Sequence, residues 1–213
     1  MSRRIQILRR ATEVFERQGV NRTSIEDIAN AVGIKREAIY YYFKSRADIL
    51  LKIILPQSTS LVMGLGSIIN SNMSSPKKLE AAIRNHLDRF NPNYLEMTVA
   101  LREDHFLDDN EKAAELRGVW NEYTQLWIRL ISEGQEQGAL RPGLDPKIVA
   151  NGILGMCNWM SRWYDPAKSM PIDQILEIFF SMVAYGIVEP TSSPPAVKRR
   201  RAPRKKAVEP VEA

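Results

Sequence analysis

Apolar residues recur at three- and four-residue spacing along most of the chain, and nowhere does the strict alternation of a half-buried strand appear. The pattern predicts an all-α protein of about nine helices. A first helix should run from about Arg4 to Gln18, with Ile7, Leu8, Ala11, Val14 and Phe15 on one face and Gly19 closing it as a left-handed cap. Thr23 to Phe43 then reads as two short helices joined by a tight turn. Ser24 caps the first, with Asp27 as a short substitute for the capping-box glutamate. Ile25, Ile28 and Ala29 face inward, Gly33 makes the turn, and Ile34, Ile39 and Phe43 carry the apolar face onward. A long helix starts at Ala47-Asp48. Pro56 predicts a kink or break in it, with resumption at Thr59 through Leu61, Val62, Leu65 and Ile68.

Farther on, Ser75 as N-cap and Pro76 as first residue open a helix to about Phe90, which Asn91-Pro92 breaks. Another is expected from Tyr94 to about Phe106, then a solvated acidic connection through Asp104, Asp108, Asp109 and Glu111. A long helix follows from about Glu111 to Gln137, stopped by Gly138. Asp145-Pro146 begins one that reaches about Tyr164, and Met170-Pro171 precedes the last, ending near Gly186. These final two are apolar nearly all round, and a helix of that kind must be covered on every side. One chain of this size cannot cover both faces, so a second copy is expected to bury the remainder. Ile148, Gly152, Gly155, Ile175, Phe179, Met182 and Val183 are the expected interface, the glycines permitting close backbone approach.

Charge divides the chain further. Residues 1–52 hold 11 Lys/Arg against 6 Asp/Glu, residues 53–189 hold 12 against 17, and the last 24 hold 7 against 2. A basic head on an acidic body offers one end to phosphates and keeps the other off them. Residues 1–48 are therefore expected to form a DNA-binding head and 49–189 a body. Residues 190–213 have almost no apolar weight and read as a disordered basic tail, which either raises non-specific DNA affinity or simply solubilises. No apolar run approaches 20 residues and no secretory leader is evident, so neither membrane span nor export is expected. The single cysteine, Cys157, excludes an internal disulfide and suits the cytoplasm.

The head also carries chemistry. Lys35, Arg36, Glu37, Tyr40, Tyr41, Tyr42 and Lys44 surround a helix that follows a glycine turn, which is what major-groove insertion requires. Arg36 can bridge two acceptors on guanine, whereas Tyr and Lys reach phosphates or thymine methyls. Ile7 to Phe15 with Gly19, then Thr23-Ser24, Ile28-Ala29, Gly33, Tyr40, Phe43 and Arg46, resembles the N-terminal domain of the TetR family of transcriptional regulators. That resemblance covers about the first 55 residues. Glu37 stands where a small residue is usual and Arg46 where lysine is usual. The resemblance implies a ligand-responsive homodimeric repressor that grips a palindromic operator of double-stranded DNA. Thr23, Ser24, Tyr42, Lys44 and Arg46 would hold phosphates, while Lys35, Arg36, Glu37 and Tyr40 lie nearer the bases. A helical architectural DNA-binding protein without effector is the alternative.

Trp120, Trp127, Met156, Trp159 and Trp163 could line an effector pocket, though aromatics at helical spacing also serve as plain core. Arg162 lies between two tryptophans, with Asp165 as a ready partner. The segment around it is similar to that of TetR-type regulators of lipid and steroid breakdown, which implies an acyl-coenzyme A effector whose phosphate or thioester Arg162 would meet. For catalysis there is little material. His86 and His105 are isolated, the acidic patch has no second histidine or cysteine, and no phosphate-cradling glycine loop occurs. No enzyme, metal or cofactor is expected.

Overall fold

A computed structural model describes residues 2–88, 111–165, 167–168 and 170–185. Among them are eight helices and no strand. They are α1 (Arg3–Gln18), α2 (Ile25–Val32), α3 (Arg36–Tyr40), α4 (Arg46–Ile69), α5 (Ser75–Leu87), α6 (Glu111–Glu136), α7 (Pro146–Trp163) and α8 (Ile172–Tyr185). The all-α expectation is met. The helix expected over 94–106 and the tail 190–213 lie outside the described residues, as does His105.

Two apolar cores share this chain. Ile7, Ala11, Phe15, Ile28, Ile39 and Phe43 form the head core, joined by Ile49 to Ile54 from the first turns of α4. Leu61, Leu65 and Ile69, from the rest of α4, belong to the body core with α5, α6, α7 and α8. α6 repeats the arrangement. Its Leu116 is buried in the head core, Tyr123 and Trp127 lie in the body core, and Trp120 packs against both. Thus α4 and α6, which pack along each other more extensively than any other described pair, run through both cores. Burying two apolar segments of one helix in separate cores couples their positions.

Several local expectations need correction. Of the kink or break expected at Pro56, the break does not occur, since α4 is one helix of 24 residues. Leu50, Ile54, Leu61 and Leu65, buried on either side of it, anchor both halves, and tertiary packing outweighs the one hydrogen bond a proline forfeits. Helix α4 is also long and apolar enough to cross a bilayer, at a mean hydropathy of 1.5, but half of that stretch is buried inside the protein. Gly19 has positive φ, 80°, yet its ψ of 154° takes it out of the left-handed helical region, so the chain leaves α1 extended. Ser74, not Ser75, occupies the cap position of α5. Ser75 is buried, and its hydroxyl donates to Gln137 Oε1 at 2.7 Å, a partner 62 residues away.

Candidate nucleic-acid interface and effector site

The helix-turn-helix is assembled from short-range bonds. Ser24 Oγ accepts from the Asp27 N–H at 3.0 Å, and Asp27 Oδ2 accepts from the Ser24 N–H at 2.7 Å, a complete capping box. Those bonds to Ser24 hold the Asp27 carboxyl below its ordinary pKa. Gly33, at φ 76° and ψ 40°, ends α2 in the left-handed conformation and swings the chain into α3. Ile39 and Phe43 are buried beneath α3, and the Arg4 guanidinium lies 5.2 Å from the Phe43 ring centroid. With its underside fixed, α3 turns Lys35, Arg36, Glu37 and Tyr40 outward, and Tyr41, at 90% exposure, stands fully in solvent. Tyr42 and Lys44 are exposed beside it.

Arg36 is held by Tyr40. Its Nη2 donates to the Tyr40 hydroxyl at 3.4 Å, and the guanidinium sits 6.0 Å from that ring. The same hydrogen bond raises the Arg36 pKa further, with Glu37 contributing only through its charge. A rigid, permanently cationic fork beside an aromatic ring on an exposed helix suits bidentate contact with guanine.

Two of the residues expected at phosphates also do structural work. Thr23 is buried, its hydroxyl donating to Gly19 O at 2.7 Å. Arg46 Nη1 donates to Thr23 O at 2.8 Å and to Asn21 O at 3.1 Å, tying the start of α4 to the α1–α2 turn. Both bonds leave one nitrogen of the guanidinium, which bridges the two carbonyls. Ser24 remains exposed at the N-terminus of α2, where backbone N–H groups and the helix dipole favour an anion.

The expected effector residues do not form one group. Trp120 and Trp127 point into the body beside Tyr123, whose ring meets theirs edge-on at 6.2 and 6.3 Å. Met156 packs partly buried against that core. Trp159, Arg162 and Trp163 instead lie on the exposed side of α7, with Trp159 65% accessible. Asp165 pairs with Lys168 at 3.2 Å. Ile148, Gly152, Gly155 and Trp159 form one exposed stripe along α7, and Ile178, Met182 and Tyr185 another along α8. So Trp159 and Trp163 extend the surface expected to meet a second copy. Of the other residues assigned to it, Ile175 is buried within its own chain, and Phe179 and Val183 are partly buried against the body core.

A cavity of about 450 Å³ opens at the end of the body, lined by Leu79, Ile131, Leu140, Leu144, Phe180 and Val183 among others. Gln135 braces its loop, donating to the carbonyls of Arg141 and Leu144 at 2.9 and 3.0 Å. Val183 is expected from sequence at the dimer surface, and none of the residues expected at the effector lines this cavity. The loop's Gly138 and Gly143, both at positive φ, were the available signal.

His86 lies in the body core at 0% exposure, its Nδ1 3.0 Å from the Tyr123 hydroxyl. Burial lowers its pKa to about 4, opposed by a hydrogen bond with Asn158. Cys157, also buried, has its thiol pushed up to about 12 and stays protonated. The histidine has a measurable consequence. Below pH ~6.5 the unfolded chain takes up a proton that the fold refuses, so stability falls with acidification until the folded pKa is reached. Urea unfolding should show His86 costing about 2 kcal/mol between pH 7 and pH 5. His86→Gln should flatten that part of the profile; parallel profiles would contradict the assignment.

Residues 7–53 match the model for bacterial regulatory proteins of the tetR family, and residues 72–187 match that of the tetracyclin repressor-like C-terminal domain. The transcriptional repressor KstR2 of Rhodococcus jostii is 26% identical over 189 residues, covering 88% of this chain and 92% of its own. Among solved structures, the ketosteroid transcriptional regulator KstR2 of Mycobacterium tuberculosis superposes with a TM-score of 0.81 at 21% identity, over 88% of this chain and 96% of that one. AibR in complex with isovaleryl coenzyme A and operator DNA gives 0.76 at 22% identity, over 86% and 98%.

Proposed function

The chain belongs to the TetR family of bacterial regulatory proteins, and from that premise we propose a cytoplasmic, effector-responsive repressor that binds a palindromic operator as a homodimer. The observation that carries this reading is the pairing of two surfaces. Arg36 and the tyrosines are exposed on a helix fixed from below by Ile39 and Phe43, and an exposed apolar stripe on α7 and α8 awaits a second copy. Two copies joined by that stripe would present two α3 helices to successive major grooves. Residues 1–48 serve as the reading head and 49–189 as the effector and dimer body.

The effector we propose is a hydrophobic acyl-coenzyme A thioester, a class supported by AibR, which was solved with isovaleryl coenzyme A. It enters the body beside Trp120 and Trp127, and Arg162, exposed on α7, is available to the coenzyme's phosphates. Because α4 and α6 each run through both cores, an occupant that shifts α6 also shifts the base of the head. Operator affinity then falls by the ratio of effector affinities for the two states.

Two substitutions test the head. Arg36→Ala should cost about 1–3 kcal/mol in operator binding and relax sequence choice at one position of each half-site. Lys44→Ala should weaken all sequences alike and lower the salt dependence by about one counterion per head. Fluorescence anisotropy with cognate and scrambled duplexes separates them, and an identical loss of specificity from both would contradict the proposed roles.

A further inference from the structure

We infer that the cavity at the end of the body is a second ligand site, taking a small amphipathic monocarboxylate with its hydrocarbon part inside and its carboxylate at Arg141. The inference is independent of the effector reading, whose residues do not line this cavity. Gln135, on its wall, lies roughly 28 Å along the α6 axis from Leu116 in the head core.

The cavity is preformed, because the loop beside it is tied to α6 at several points. The N–H groups of Ala139 and Leu140 both donate to Gly134 O, at 3.0 and 2.9 Å. Gly134 is buried, and a Cβ placed there would stand 2.5 Å from Leu140 Cδ1. The missing side chain thus lets Leu140 seat directly on the helix backbone. Gln135 fastens the far part of the loop through its bonds to the carbonyls of Arg141 and Leu144. Leu79, Ile131, Leu140 and Phe180 then present hydrocarbon from α5, α6, the loop and α8. A volume of about 450 Å³ falls within the range of small-molecule sites.

Charge decides the class of ligand. Arg141 is the one charged residue among those described around the cavity, and no carboxylate lines it. The guanidinium has no ion-pair or hydrogen-bond partner among the described residues. Arg141 is exposed, so its charge stays hydrated at the rim. A carboxylate placed there keeps part of its own hydration and meets a cation whose fork matches it, while the attached hydrocarbon leaves water. An amine would be repelled, and an alcohol would gain burial alone.

The test uses the full-length protein with octanoate, octanol and octylamine, followed by calorimetry. Octanoate should bind once per chain and about fivefold more tightly than octanol, the advantage of a charge pair at a hydrated rim. An apolar hole without Arg141 would favour the alcohol instead. Octylamine should bind more weakly than either. In Arg141→Gln, octanoate should fall to the level of octanol. In Ala139→Trp, where an exposed alanine of the lining becomes large enough to fill the space, binding of both should be lost with the urea midpoint unchanged. Isovaleryl-coenzyme A should neither displace octanoate nor respond to either variant. Absence of octanoate binding, equal binding of octanoate and octanol, or octanoate binding that survives Ala139→Trp overturns the inference. So does displacement of octanoate by the thioester, which would put the acid in the effector site. A dimer that dissociates in Ala139→Trp overturns it as well, by placing the second copy over the cavity.

Discussion

Replacing Gly152 with glutamate is expected to leave each chain folded and to separate the two copies. A Cβ built at Gly152 meets nothing within 4 Å, and the same holds at Gly155. The residue is exposed in the middle of α7, so the new side chain strains nothing in its own chain. Exchange of a mid-helix glycine even favours the helix, by roughly 0.5–1 kcal/mol. In the proposed dimer the same glutamate falls in the apolar stripe between Ile148 and Trp159, where it both blocks close approach and buries a charge. Sedimentation should then show a monomer at micromolar concentration. Operator affinity should drop by about 10²–10⁴, because the second half-site is no longer tethered to the first. Circular dichroism and melting temperature should stay near wild type. A variant that remains dimeric and keeps its affinity would move the interface elsewhere.

Phe43→Ala is expected to detach the reading helix without dismantling the body. Phe43 is 1% exposed and lies in the head core with Ile39, where the Arg4 guanidinium covers its ring. Truncating a buried phenylalanine costs about 3–5 kcal/mol, from lost burial and from the cavity left behind. That is a large share of the roughly 5–15 kcal/mol by which a domain is stable. The loss should be local. Hydrogen exchange should quicken across α2 and α3 while the amides of α5 and α7 keep their protection. Operator binding should vanish and acyl-coenzyme A binding should persist. Uniform loss of protection along the chain would show that head and body unfold as one unit.

The helix-turn-helix was legible because its determinants are close in sequence. Ser24 and Asp27 are three residues apart, Gly33 stands at the turn, and Ile39 and Phe43 share one helical face, so local rules suffice. Contacts that cross the chain were not legible. Arg46 reaches back 23 residues to Thr23 O, and the His86–Tyr123 pair spans 37. Neither pairing leaves a periodic trace. The tryptophans illustrate a further limit. Trp120, Trp127, Trp159 and Trp163 all recur at helical spacing, and periodicity alone cannot tell which apolar face meets the chain itself and which meets another copy. Pro56 shows propensity yielding to packing, since α4 continues where its own sequence suggests an interruption.

Selection from a pool of random duplexes, at moderate salt and without effector, tests the central claim most directly. If α3 of each copy lies in a major groove, the retained sequences should converge on a palindrome whose half-sites are centred about one helical turn apart. Retention that depends on duplex length and on no sequence would contradict the account.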